Sequence, residues 1–156
     1  LGCVQSPMSA YMLNLGLESL HVRMARHCEN AQAVAEFLAA HPKIAYVNYC
    51  GLPGDKYHAL AEKYLPNGSC GVVSFGVKGG RAAAASFMGH LKVAAIETHV
   101  ADARTCCLHP ASSTHRQMND EQLLAAGVMP DLVRMSCGLE DKQDLINDIA
   151  QALDQI

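Results

Sequence analysis

Arg134 stands in an apolar run, with Leu132 and Val133 before it and Met135 after it. A guanidinium in such a strand has two options. Its head reaches solvent while its stem packs, or its charge is paired with an anion, because burying an unpaired charge is costly. If it is paired, the planar fork suits a carboxylate, held through two parallel hydrogen bonds that lysine cannot copy. A second group, Cys106-Cys107 followed by His109 and His115, brings thiol and imidazole ligands close together in sequence. Adjacent cysteines on a strand point to opposite faces, and no second cysteine pair occurs. Buried thiols beside a structured loop are therefore the better reading than a metal centre. Gly76, Gly79 and Gly80 precede a helical pattern, where glycine loops can cradle phosphate. Their spacing matches neither the Walker loop nor the dinucleotide fingerprint, so a turn feeding a helix is expected. Ala101-Asp102-Ala103-Arg104-Thr105 is small and polar and reads as a loop.

The elements that must position these groups alternate along the chain. Ser6-Pro7 opens a helix, with Ser as N-cap and Pro at the first helical position. Leu13, Leu17, Leu20, Met24, Ala31, Val34 and Leu38 keep one face apolar, Gly16 offers a break, and Pro42 stops the helix at or before His41. Strands are expected over 44–49, 71–77, 92–96, 105–108 and 132–136. Helices are expected over 57–64, 80–91 and 121–126. A last helix starts after Asp141 as N-cap and turns Leu145, Ile146, Ile149 and Leu153 inward. This is an α/β pattern, with helices covering one face of a small sheet. The long first helix has no place inside so small a sheet domain, and a link to a further domain would explain it.

Composition narrows the function classes. The 156 residues are 50% hydrophobic and 17% charged, with a net charge of −3 and a pI near 6.2. That excludes a disordered chain, a general nucleic-acid binder and a polybasic membrane patch. No apolar run is long enough for a membrane-spanning helix. The low charge suggests surface that is covered by something else. Seven cysteines without a CxxC fit reduced thiols, and no signal peptide is visible, so a cytoplasmic protein is expected.

Longer motifs carry a resemblance. His109-Pro110-Ala111-Ser112-Ser113-Thr114-His115-Arg116-Gln117, preceded by Asp102-Ala103-Arg104-Thr105, is similar to a signature of the Cys/Met-metabolism family of pyridoxal-phosphate enzymes. So are Arg134-Met135-Ser136-Cys137-Gly138-Leu139-Glu140 and Lys63-Tyr64-Leu65-Pro66. At the front, Ser6-Pro7, Gly16-Leu17-Glu18-Ser19-Leu20, Arg23-Met24, His27, Asn30-Ala31 and Phe37-Leu38 agree in the same order. The resemblance is nearest to the branch that sulfhydrylates O-acetylhomoserine.

The resemblance implies the C-terminal small domain of a fold-type I enzyme. Residues 1–40 would be a connector from a large domain, and 41–156 the small domain. None of Lys43, Lys56, Lys63, Lys78, Lys92 and Lys142 has Ser or Thr in the two preceding positions. The family's Schiff-base lysine and phosphate cup are thus expected outside this chain, and the chain alone is expected to be inactive. By resemblance Arg134 binds the substrate carboxylate, and Thr105 takes the place of a family hydroxyl beside that carboxylate and the lysine. Ala101 replaces a family glycine, and Arg104 replaces a Glu common in cystathionine-cleaving relatives. The implied reaction is γ-replacement: pyridoxal phosphate acts as electron sink, acetate leaves Cγ of O-acetylhomoserine, and sulfide or a small thiol takes its place. A homotetramer is implied as well. The rivals are a γ-lyase of the same family, acting on methionine or cystathionine, and a non-catalytic module of the same fold.

Overall fold

The computed structural model describes residues 2–156; Leu1, the first residue of the expected connector, lies outside them. Two helices lead, α1 (Pro7–Glu18) and α2 (Leu20–Ala40). They are followed by β1 (Ile44–Asn48), α3 (His58–Tyr64), β2 (Val72–Val77), α4 (Gly80–His90), β3 (Ala95–Ile96) and β4 (Cys106–Leu108). A single 3-10 turn (Pro110–Ser112), α5 (Asp120–Ala125), β5 (Leu132–Ser136) and α6 (Lys142–Asp154) complete the order.

The Ser6 side chain accepts from the Ser9 N–H at 3.2 Å, and Asp141 caps α6 by accepting from Gln143, as the N-cap residues require. The break in the leading helix falls at Ser19, not at Gly16. Arg23 accounts for the place: its Nε donates to Ser19 Oγ at 3.1 Å and its guanidinium also donates to the Gly16 carbonyl.

The described residues form a five-stranded sheet in the order β1-β2-β5-β4-β3. β1, β2, β5 and β4 pair antiparallel, and β3 joins β4 in parallel. Alternate residues face opposite ways along each strand. One face carries Val73, Phe75, Val77, Cys107, Val133 and Met135 into the core. There they meet Val34 and Leu38 of α2, Phe87 of α4, and Leu145, Ile149 and Leu153 of α6. Phe75 and Phe87 meet edge to face at 5.8 Å. The opposite face presents Val72, Ser74, Leu108, Leu132 and Arg134 to a cleft.

Two features depart from the expected elements. Strand β3 is shorter than 92–96, because Asp148 of α6 takes the N–H groups of Lys92, Val93 and Ala94 at 2.8–3.0 Å. Those donors are then lost to the ladder. Helix α1 buries no residue at all, and Leu13 and Leu17 are 58% and 59% exposed. Among the described residues, no helix is long and apolar enough to cross a membrane.

Candidate active site

Strand β5 projects Arg134 into a cleft of about 530 Å³, bordered by Ser74, Thr98, Leu108, Pro110 and His115. The register places Arg134 opposite Ser74 on one side and Leu108 on the other. Its Nη2 donates to the Thr98 carbonyl at 2.8 Å. Its Nε is buried and has no partner. Half of the guanidinium fork thus anchors the loop after β3, and the other half is an unmet donor in a mostly apolar cleft. Such buried orphan donors are rare and costly. An incoming carboxylate is the chemistry that satisfies it.

The structure does not bring Thr105 to this cleft. Thr105 is fully buried. Its Oγ1 donates to Glu140 Oε2 at 2.8 Å and accepts from the Gly138 N–H at 2.8 Å, while its own N–H donates to Glu140 Oε1. The hydroxyl is committed to a knot that locks the start of β4 to the end of β5. A Cβ at Gly138 would lie 2.5 Å from the Ala103 carbonyl oxygen, so this knot closes only around glycine.

The thiol and imidazole groups are divided among separate roles. Cys107 points into the core and Cys106 away from it, as alternation demands. Burial raises both thiols above the ordinary 9.0, Cys107 most, and the Glu97 carboxylate adds to the rise at Cys106. Both ring nitrogens of His109 have hydrogen-bond partners: Nδ1 meets Ser112 Oγ at 2.8 Å and Nε2 the Pro130 carbonyl at 2.9 Å. His109 therefore holds the 110–113 turn that borders the cleft. Ligand atoms of Glu97, His99 and Cys106 do gather within 4.8 Å of one another, a set not visible from the CysCys-His spacing. Arg104 already pairs with Glu97 there at 3.2 Å. Gly79 and Gly80 adopt φ of 104° and 73° and make the turn into α4.

The amines are placed elsewhere. Lys43 donates to the Leu153 and Ile156 carbonyls, Lys78 to the Pro42 carbonyl, and Lys142 to Glu29. Lys56 and Lys63 lie over the rings of Tyr57 and Tyr64. Among the described residues, no lysine borders the Arg134 cleft. These residues fit the carboxylate end of an amino-acid substrate and do not fit the attachment of pyridoxal phosphate through an amine.

The family description "Cys/Met metabolism PLP-dependent enzyme" matches residues 1–154. The chain belongs to this family of PLP-dependent enzymes. Within it, the chain is 44% identical to a homocysteine synthase of Schizosaccharomyces pombe, over 96% of this chain and 35% of that protein. It is 43% identical to an O-acetyl-L-homoserine sulfhydrylase of Leptospira meyeri, over 100% and 36%. It is also 40% identical to an L-methionine gamma-lyase of Treponema denticola, over 99% and 38%. A Campylobacter jejuni crystal structure described as an O-acetylhomoserine (thiol)-lyase superposes with a TM-score of 0.88 at 38% identity. That match covers 98% of this chain and 36% of the other, which carries an N'-pyridoxyl-lysine-5'-monophosphate. The chain thus spans little more than a third of the length of these family members, and the fold is the α/β fold expected of the family.

His27 and Glu140 enter the sequence reading only as positions in the motifs of the resemblance, with no role assigned, and Asp148 carries no signal at all. The partners of each lie far away in sequence.

Proposed function

We propose that this chain is the part of an O-acetylhomoserine sulfhydrylase that recognises the substrate carboxylate, and that the whole enzyme replaces acetate at Cγ by sulfide or a small thiol. The products are homocysteine or methionine. The observation that carries the reading is the half-used fork of Arg134, with an orphan Nε in an apolar cleft. A carboxylate that accepts from the unpaired Nε fixes one end of the amino acid, and the low-dielectric walls strengthen the contact. Fixing that end lowers the entropic part of the barrier. Thr105 acts at one remove, by holding the β4–β5 corner through Glu140 and Gly138.

In this reading residues 1–40 are the connector and 41–156 the small domain. The lysine and the phosphate-binding residues lie in the part of the relatives that this chain does not span, and the chain alone is inactive. Pyridoxal phosphate, when bound there, supplies the electron sink. Neighbouring subunits complete a cytoplasmic homotetramer, with α1 offering apolar surface for such contacts.

The identity to a methionine gamma-lyase supports a second reading, elimination of a thiol from methionine by the same cleft. A product assay on the full-length enzyme separates the two: thioether or homocysteine formation from O-acetylhomoserine, against α-ketobutyrate release from methionine. The role of Arg134 is tested by Arg134→Lys in the full-length enzyme. The charge stays but the fork is lost. Transition-state stabilisation should fall by about 1.5–3 kcal/mol, roughly ten- to a hundredfold in kcat/KM, with cofactor absorbance retained. Unchanged kinetics would remove Arg134 from the site.

A further inference from the structure

Beside the Arg134 cleft lies a smaller cavity of about 140 Å³, lined by Met24, His27, Val72, Val100, Ser136 and Cys137 among others. His27 of α2 is only 2% exposed. Its Nδ1 sits 2.6 Å from the Cys137 carbonyl oxygen. A carbonyl can only accept, so Nδ1 carries the hydrogen, and in the neutral ring Nε2 is then a bare acceptor. That Nε2 is buried and has no partner. The rest of the wall is soft and mostly apolar. Ser136 Oγ already accepts from the Ala101 N–H at 3.0 Å. Burial pushes the Cys137 thiol up to about 12, so it remains neutral.

The position of the cavity follows from the strand. Val72 lines both it and the Arg134 cleft. Arg134 and Ser136 are two residues apart on β5 and share one face, about 7 Å from each other along the strand. A four-carbon amino acid held by its carboxylate at Arg134 and extended along β5 toward Ser136 would bring its γ-carbon to the His27 end.

We propose that this cavity is the subsite for the sulfur donor, which binds as a neutral S–H donating to His27 Nε2. The proposal rests on the sulfhydrylase reading above and names where its second substrate sits. A buried water wants two to four polar partners, and the wall offers only His27 Nε2 and the Ser136 hydroxyl, which already accepts from Ala101. A small thiol needs only one acceptor, and its polarizable sulfur packs well against Met24 and Cys137. The apolar wall disfavours the hydrosulfide anion.

The test uses the full-length enzyme with pyridoxal phosphate bound. His27→Asn places a side-chain N–H near Nδ1, toward the Cys137 carbonyl, and leaves nothing at Nε2. The KM for sulfide should rise roughly fivefold, the weight of one hydrogen bond, while the KM for O-acetylhomoserine and the cofactor absorbance stay the same. Val100→Phe narrows the cavity without touching His27. Val100 is half exposed, so this variant folds, and it should show the same selective rise. A cavity that holds water alone leaves the sulfide KM unmoved in both variants, and that result overturns the proposal, as does an equal rise for both substrates. If the wild-type enzyme releases methanethiol from methionine and does not use O-acetylhomoserine, the sulfhydrylase reading fails on its own. The cavity is then read through product inhibition by methanethiol: weakened in both variants if the subsite is real, unchanged if it is not.

Discussion

Ala101 is held at φ 61°, in the left-handed region that glycine occupies at little cost. It is the non-glycine residue with positive φ among those described, and it stands where the family resemblance led to a glycine. The loop keeps that conformation because the Ala101 N–H is tied to Ser136 and the Arg104 N–H to Asp102. An L-residue there costs roughly 1–2 kcal/mol, and glycine returns about 0.4–1 kcal/mol of that through a freer unfolded chain. Ala101→Gly should therefore stabilise the protein by roughly 0.5–1 kcal/mol, read from the denaturant midpoint at unchanged slope. A lower midpoint would show that the left-handed turn is not under strain. Arg134 belongs to the same scale: one of its nitrogens is spent on Thr98, so the loop that carries Ala101 also sets which part of the fork is left unpaired.

At the scale of elements, Asp148 joins α6 to the turn after α4. Its carboxylate takes three consecutive backbone N–H groups, those of Lys92, Val93 and Ala94, and it is 5% exposed. The first two residues are close to solvent, so water can replace the carboxylate there. The Ala94 N–H is buried and cannot be satisfied that way. Asp148→Ala should cost about 1–3 kcal/mol, the penalty of leaving one buried donor unmet. Asp148→Asn keeps one acceptor oxygen and should cost less. Chemical denaturation of both variants, with hydrogen exchange at 92–94, checks this. Equal stability of Asp148→Ala and wild type would mean that the turn is held by packing alone. The Lys142–Glu29 pair at 2.8 Å joins α6 to α2 on the exposed side, and hydrogen bonding to Lys142 holds the Glu29 carboxyl below its ordinary range. Solvent screening leaves such a pair little weight beside Asp148.

For the whole molecule, the dominant feature is the apolar surface of the first helix. Met8, Met12, Leu13 and Leu17 are all more than half exposed, and Leu20 and Met24 carry the patch toward the body of the domain. A contiguous apolar face of this kind marks an interface. Studied alone, the chain should self-associate with rising concentration, or lose order over the first helix, because nothing offsets the entropy of holding it in place. Sedimentation over a concentration series, with hydrogen exchange on residues 6–24, reads both. A concentration-independent monomer with that helix strongly protected would refute the uncovered-face account.

Local signals were enough for the element order. The Ser6-Pro7 start, the stop before Pro42, the alternation in 72–77 and 132–136, and the Asp141 cap are each written within a few residues, because capping and hydrophobic periodicity are short-range effects. The α/β class follows from the same periodicity, whereas the face that Arg134 shares with Ser74 is set by the pairing of β2 with β5. What the linear pattern could not reveal are partners far apart in the chain. The helix breaks at Ser19 because Arg23 reaches back to it and to Gly16. Strand β3 is short because Asp148 reaches across from α6. Thr105 is withdrawn from the cleft because Glu140 and Gly138 claim its hydroxyl. His27 is legible in sequence only as one position of the resemblance on an amphipathic helix, and only the fold, which ties its Nδ1 to Cys137 far along the chain, leaves Nε2 without a partner beside a cavity. Hydrogen-bond satisfaction is decided by which groups tertiary packing brings within about 3 Å, and that distance is not encoded in spacing along the chain.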